Sequence, residues 1–144
     1  MRVIKLSDSV FGFDSLEGCK AYFRHVLPWS KYYFPIVGEG NRISKEKISV
    51  DETVLFIYKG NIVAIAKVEN YEVDNNKVRS LKLRADTFKV FEETADIKEL
   101  EQNLASNGYD LKIQQSQGWN IITEEHEQIV INFLIRHEWK SYLL

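Results

Sequence analysis

The segment from Asp51 to Val68, DETVLFIYKGNIVAIAKV, constrains the fold more than any other part of the chain. It predicts two β-strands joined by a tight turn at residues 59–61, because an apolar run is interrupted there by Lys-Gly-Asn. Both strands are apolar on both faces, and such a strand has to be covered on both sides, as in a barrel wall or the centre of a sandwich. In the first strand, one face carries Val54, Phe56 and Tyr58, and the other carries Leu55 and Ile57. In the second strand, one face carries Ile62, Ala64, Ala66 and Val68, and the other carries Val63 and Ile65.

The rest of the chain predicts short strands and three helices around this hairpin. No repeat or linker divides the 144 residues, so we expect one domain spanning residues 1–144. Pro28 cannot continue a helix that begins at Asp14 or Ser15, and that helix is expected to end near residues 25–27. Helices are also expected after Asp96 and after Thr123. Further strands are expected at 2–6, 78–83, 87–91, 109–114 and 119–122. The order predicts an α+β fold, a small mixed or antiparallel β-barrel with flanking helices.

Composition excludes several classes of protein. The formal net charge is −2, whereas a protein that coats nucleic acid without specificity is normally basic. The chain has no apolar run of about 18 residues, so we expect no membrane span. A single cysteine, Cys19, excludes an intramolecular disulfide and is compatible with a reducing cytoplasm. The three histidines do not combine with it at metal-ligand spacing, and no nucleotide or nucleophile motif occurs, so we predict neither a metal nor a cofactor.

The hairpin, with its small residues Ala64 and Ala66 on the return strand, resembles the PUA-like superfamily of small barrels and, within it, the EVE domain. The last helix, after Thr123, also lies where such domains place one. The resemblance implies a module that binds DNA or RNA. EVE and YTH domains are associated with reading a modified base in an aromatic cage, and ASCH domains, on the same fold, with RNA and in some cases with hydrolysis.

An aromatic segment after Pro28 is the best local indication of a ligand. A flipped or single-stranded base can stack on exposed rings, and an asparagine can read a base edge as donor and acceptor. The alternatives are that these rings close one end of the barrel as core, and that the ring at position 119 clamps the last helix. The candidate base contacts are Trp29, Tyr32, Tyr33, Tyr58, Trp119 and Asn120.

Basic residues near this segment and on the strand at 78–83 are candidate phosphate contacts. The alternative for the strand is a solvated face, since basic residues on an exposed strand also deter pairing between molecules. The candidate phosphate contacts are Arg24, Lys31, Lys82 and Arg84.

We therefore predict a nucleic-acid binding module, with recognition of a modified or flipped base as its more specific form. Two alternatives stay open. One is an ASCH-like hydrolase acting on RNA through a lysine, a tyrosine and a carboxylate, which would require a shifted pKa in a pocket. The other is a domain that binds a protein partner through the aromatic segment.

Overall fold

The computed structural model describes residues 1–37, 42–113 and 119–136. The strands are β1 Arg2–Leu6, β2 Tyr33–Pro35, β3 Thr53–Tyr58, β4 Asn61–Asp74, β5 Lys77–Leu83, β6 Lys89–Asp96 and β7 Trp119–Ile121. The helices are α1 Asp8–Phe11, α2 Leu16–Ala21, α3 Leu27–Trp29, α4 Ile97–Ser106 and α5 Glu124–Arg136. A π-helical turn, Tyr22–Val26, joins α2 to α3, and 3₁₀ turns lie at Lys45–Lys47 and Ala85–Thr87.

The strands form a mixed sheet, which confirms the α+β class but not a closed barrel. Across the described residues the order is β2-β5-β4-β3-β1-β7, and β6 also pairs with β4. β1 runs parallel to β3, and the other pairs are antiparallel. The long β4 pairs with β6 along Asn61–Ile65 and with β5 along Val68–Asp74. The first part of β4 therefore pairs with β6 and its second part with β5, while β2 and β7 lie at the two ends of the strand order.

The central hairpin is covered on both faces, as its sequence predicts. Val54, Phe56 and Tyr58 belong to one buried cluster, and Leu55 and Ile57 belong to the other. The side chains of β4 are distributed over the two faces differently from the prediction. The reason is that the pairing of β4 shifts by one residue, against β3 between Phe56 and Ile57 and against β6 around Val63. A β-bulge adds one residue to one strand and so reverses the alternation beyond it. Ile62 consequently lies in the second cluster with Ile65, while Val63 lies in the first with Ala64.

The first long helical segment does not end before Pro28, contrary to the expectation. It continues through the π turn into α3, which ends at Trp29. A proline in a helix removes one N–H and crowds the carbonyl four residues earlier, that of Arg24. The wider π turn relieves this crowding by bonding Leu27 N to Tyr22 O, so the chain stays helical for one further turn.

The second face of the sheet is closed by α4 and α5. Asp96 caps α4 by accepting a hydrogen bond from Lys98 N at 2.8 Å, as its sequence predicts. The strand expected at 109–114 does not form within its described part, 109–113. The alternating apolar residues there pack beneath the helices instead, with Ile113 fully buried. Among the described helices, none combines the length and apolar character that a bilayer crossing requires.

Candidate nucleic-acid interface

The turn from α3 into β2 presents two aromatic rings to solvent. Trp29 is 87% exposed and Tyr33 is 38% exposed, at opposite ends of a tight turn closed by Tyr33 N donating to Ser30 O at 3.2 Å. Lys31 and Tyr32 have φ angles of 58° and 65°, a left-handed backbone that non-glycine residues seldom adopt. Large apolar rings are usually buried on folding, so the exposure of Trp29 next to two residues with left-handed backbone makes this turn the candidate contact surface.

The two tyrosines of this turn face in different directions. Tyr33 pairs with Lys82 across β2 and β5, and Lys82 Nζ lies 5.7 Å from the centre of its ring. Tyr32 is half-buried, and its ring meets Phe88 edge-on with centroids 5.5 Å apart. A shallow cavity of about 280 Å³, lined in part by Arg24, Tyr32 and Phe88, opens beside this pair. Tyr33 is thus available for stacking, whereas Tyr32 forms the wall of a shallow depression.

The four predicted phosphate contacts fall into two classes. Lys82 forms an ion pair with Glu69 at 3.0 Å, and this hydrogen bond raises the pKa of Lys82. Arg84 forms an ion pair with Asp51 at 2.6 Å.

Arg24 and Lys31, by contrast, are both exposed, and neither has an ion-pair partner in the part of the chain that the structure describes. These two cations are therefore the ones with unused charge beside Trp29. We call Arg24, Trp29, Lys31 and Tyr33 the Trp29 surface.

Tyr58 does not join this surface. Its ring is fully buried, and its hydroxyl donates to Asp8 Oδ1 at 2.5 Å. Lys59 Nζ lies 2.8 Å from Asp8 Oδ2. The ring of Tyr58 meets Phe13 edge-on, at 5.6 Å between centroids, so it is enclosed by the core and has no free face on which a base could stack.

Trp119 and Asn120 lie at the other end of the strand order from β2. The backbone of Trp119 pairs with Ile4, and that of Asn120 pairs with Val3, both across β7 and β1. The structure therefore brings together Trp29, Tyr32 and Tyr33 with Arg24, Lys31 and Lys82, and it separates Tyr58, Trp119 and Asn120 from them.

A second cavity is an open cleft of about 620 Å³, which the sequence does not predict. It lies where β1 ends, where β3 turns into β4 and where α4 begins. Its lining includes Lys5, Asp8, Lys59, Asn61, Lys98 and Ile113. These residues come together because β1 pairs in parallel with β3, which sets Leu6 beside Tyr58. No local pattern in the sequence predicts this pairing, because the two segments lie about 50 positions apart along the chain.

Hydrogen bonding fixes the protonation of the trio Asp8, Tyr58 and Lys59. Lys59, and after it Tyr58, lowers the pKa of the Asp8 carboxyl by hydrogen bonding to it. Burial, and then the bond to Asp8, raises the pKa of the Tyr58 hydroxyl. The bond to Asp8 also raises the pKa of Lys59. At neutral pH the wall of the cleft therefore carries an ionised carboxylate and a charged ammonium, while the neutral phenol of Tyr58 is buried and is not part of the described lining.

Nucleophilic and metal chemistry depend on cysteine, histidine and carboxylate side chains elsewhere in the described residues. Cys19 is buried in the first cluster, and desolvation raises its pKa to about 12, so its thiol is not a nucleophile at neutral pH. Across the described ranges, no three His, Cys, Asp or Glu side chains form a group that could hold a metal ion.

Comparison with solved structures gives a likeness of fold. The chain is similar to a crystal structure described as ASCH from Zymomonas mobilis, with a TM-score of 0.50 and 10% sequence identity, over 91% of this chain and 93% of that one. No model of a known protein family matches the sequence, and no curated protein matches it. At this identity the likeness concerns the fold alone.

Proposed function

We propose that this protein binds single-stranded nucleic acid through the Trp29 surface, with RNA as the favoured ligand. The observation that carries the proposal is the 87% exposure of Trp29 beside Arg24 and Lys31, two cations that have no ion-pair partner among the described residues. A base stacked on an exposed ring gains about 1–3 kcal/mol, and basic side chains next to the ring hold the phosphates on either side. The likeness to an ASCH structure supports RNA, because ASCH domains are associated with RNA.

The mode of binding is open stacking on Trp29 and Tyr33. A cage that encloses a modified base needs rings on more than one side of the base. Tyr58 is buried and Tyr32 is packed against Phe88, so neither ring faces Trp29 as a cage wall. The proposal therefore favours recognition that tolerates different bases. The finer resemblance, to EVE domains that read a modified base, stays a prediction, and methylated oligonucleotides test it.

The test is the affinity for a short single-stranded RNA, measured by fluorescence anisotropy at two salt concentrations. Trp29→Ala should weaken binding by about tenfold or more, since one lost stack costs about 1–3 kcal/mol. Trp29→Phe keeps a stacking ring and should recover part of the loss.

Salt dependence isolates the phosphate contacts. Lys31→Gln should lower the slope of log affinity against log salt by about 0.7, the value for one phosphate contact to a single strand. Lys112→Gln is the matched control: Lys112 is exposed but already paired with Asp110 at 3.1 Å, and its loss should leave the affinity nearly unchanged. Unchanged affinity of Trp29→Ala for RNA and for single-stranded DNA would overturn the proposal.

A protein-binding function is the second candidate, because Val26 and Val37 flank the Trp29 surface and are also exposed. Trp29→Asp tests it without disturbing the core, whereas Phe34, which is 1% exposed, is unsuitable for this purpose. If the native chain binds no oligonucleotide but self-associates with rising concentration, and Trp29→Asp abolishes the association, this candidate replaces the first.

The hydrolase alternative would act at the cleft, where Asp8 and Lys59 line the wall and the buried Tyr58 is hydrogen-bonded to Asp8, so that a carboxylate, a lysine and a tyrosine lie together. A general base works best with a pKa near the working pH. The pKa of Lys59 is raised and that of Asp8 is lowered, so both are held in their ordinary charged forms. We expect RNA to stay intact during incubation without metal. Cleavage that Lys59→Gln abolishes would establish the hydrolase instead.

A further inference from the structure

The cleft contains an anion site that the protein itself occupies. Tyr58 and Lys59 direct two donors at the two oxygens of one carboxylate, that of Asp8, at 2.5 and 2.8 Å. An O–H and an ammonium converging in this way form a geometry suited to any oxyanion of similar size. Lys59 keeps more than half of its side chain exposed, so an external anion can reach it from the cleft.

The rest of the cleft adds positive charge. Lys5 and Lys98 line the same cavity as Lys59, which sets three lysines against two aspartates, Asp8 and Asp96. One oxygen of Asp96 is committed to the cap of α4, where it accepts the Lys98 N–H. The three lysines and two aspartates give the described lining a net charge of +1, so an anionic ligand is better matched to it than a cationic one.

The kind of cation distinguishes between anions. Lysine acts as a point charge that suits phosphate, whereas carboxylates are matched by the planar fork of arginine, and the cleft lining includes no arginine. The lining also has an apolar part, which includes Leu6, Ile57 and Ile113. An apolar body attached to the anion would cover this part of the wall.

We propose that the cleft binds a phosphate monoester with an apolar body, and that its phosphate displaces Asp8 from Lys59. Asp8 then acts as a resident competitor that keeps the site closed to weakly charged anions. The volume of about 620 Å³ is in the range of small-molecule sites.

This site is separate from the Trp29 surface. The turn that carries Trp29 joins the sheet where Leu83 N donates to Tyr32 O, next to the start of β3, and the cleft lies at the end of β3. The six residues of β3 span about 20 Å. The proposal therefore does not depend on binding of a nucleic-acid strand to Trp29.

The first experiment is a calorimetric titration of the full chain with phenyl phosphate, with benzoate as the carboxylate of similar body. We expect phenyl phosphate to bind and benzoate to bind at least about tenfold more weakly. Lys59→Gln should weaken the binding of phenyl phosphate by about tenfold, which corresponds to the loss of one charge-assisted hydrogen bond. Lys112→Gln, which also removes a lysine from an exposed pair with an aspartate, should have no effect.

The decisive variant is Asp8→Asn. It keeps an acceptor for Tyr58 and removes the competing charge, so phenyl phosphate should bind several-fold more tightly. Asp110→Asn makes the same change in net charge in the exposed pair with Lys112 and should leave the affinity unchanged. Thermal unfolding of each variant verifies that it is folded. Equal binding by the native chain, Lys59→Gln and Asp8→Asn would overturn the proposal, as would equal affinity for benzoate.

The phosphate could belong to a small metabolite or to the end of an oligonucleotide, and a further comparison separates these sources. In the Trp29→Ala variant, 5′-phosphorylated and 5′-hydroxyl forms of one short RNA are titrated. If the phosphorylated RNA binds more tightly and Lys59→Gln removes this preference, the site binds the end of a strand. Binding of phenyl phosphate without that preference assigns it to a small ligand. Binding of neither overturns the proposal, whatever the outcome at Trp29.

Discussion

The two faces of the sheet are packed with different kinds of side chain. The face beneath α1, α2 and α3 is aromatic, and its rings contact one another in a continuous network. Phe23 and Phe34 lie with centroids 6.3 Å apart, and Phe56 lies 5.0 and 4.9 Å from these two rings. The face beneath α4 and α5 is mostly aliphatic, with Phe91 and Phe133 as its buried rings among the described residues.

The difference matters because the aromatic face continues, through contacts between rings, to the exposed turn. Its network extends through Tyr32 and Phe88 to the turn that exposes Trp29 and Tyr33. The aliphatic face is closed by α4, whose buried residues are Ile97, Leu100 and Leu104, and by α5. A packed network of rings provides a rigid support for exposed rings, which lowers the entropy cost of stacking a ligand on them. The aromatic core thus lies beneath the proposed Trp29 surface, whereas the aliphatic core contributes Ile57, Ile97 and Ile113 to the wall of the cleft.

Two adjacent residues of β3 test the contrast in packing most strongly. Leu55 and Phe56 are both fully buried, and they point into opposite clusters. Phe56→Ala should cost about 3–5 kcal/mol of unfolding free energy, and Leu55→Ala about 2–4 kcal/mol, because a larger side chain is lost at Phe56 and we expect the packed network of rings to collapse less around the cavity.

Urea denaturation of both variants measures this difference. Val50→Ala, at an exposed position, is the control and should change stability by less than about 0.5 kcal/mol. If Leu55→Ala proves as costly as Phe56→Ala, the two faces do not differ in rigidity.

Local patterns account for the parts of this architecture that sequence could predict. The double-sided hairpin, the Ser15 cap of α2, the Asp96 cap of α4 and the turn after Asp74 depend on neighbouring residues, and all of them form. The parallel pairing of β1 with β3 brings together distant segments, and no spacing along the chain encodes it.

The candidate site divides in the same way. Trp29, Tyr33, Arg24 and Lys31 come from one continuous segment and stay together on one surface. Tyr58, Trp119 and Asn120 lie on other strands, and the closed barrel that would bring them close to this segment does not form in the described residues. The cleft at Lys59 escaped prediction because it depends on the parallel pairing of β1 with β3.

Each face also has a carboxylate that fixes a helix, Asp96 on the aliphatic side and Asp8 on the aromatic side. Asp96→Ala removes the cap of α4 and should cost about 1 kcal/mol. Asp96→Asn retains an oxygen that accepts the Lys98 N–H and should recover most of the loss. Urea denaturation at neutral pH measures both. Equal losses for the two variants would show that charge at the helix terminus, rather than the hydrogen bond, provides the stabilisation.

On the aromatic side, Asp8 holds α1 to the hairpin through Tyr58 and Lys59, and its contribution should depend on pH. The folded pKa of Asp8 lies below the ordinary value of 3.8. Its stabilisation is therefore fully present above that value and is lost as the pH falls through the lower folded pKa.

Unfolding measured from neutral pH to about pH 2 should thus show the deficit of Asp8→Asn narrowing in acid. Asp110→Asn controls for net charge, because its pair with Lys112 is exposed. A deficit of Asp8→Asn that is independent of pH would mean that the shape of the side chain, rather than its charge, holds α1.

The smallest expected effect on stability is at Trp29, and it separates binding from packing. Trp29 is 87% exposed, whereas Phe34, five positions later, is 1% exposed. Trp29→Ala should change the unfolding free energy by less than about 0.5 kcal/mol, and Phe34→Ala should cost about 3–5 kcal/mol. Thermal and urea unfolding measure both. Since the same Trp29→Ala protein is the one expected to lose affinity for RNA, unchanged stability would assign that loss to the ring itself. A destabilisation comparable to that of Phe34→Ala would instead make Trp29 part of the aromatic core and remove the distinction between the surface and the network beneath it.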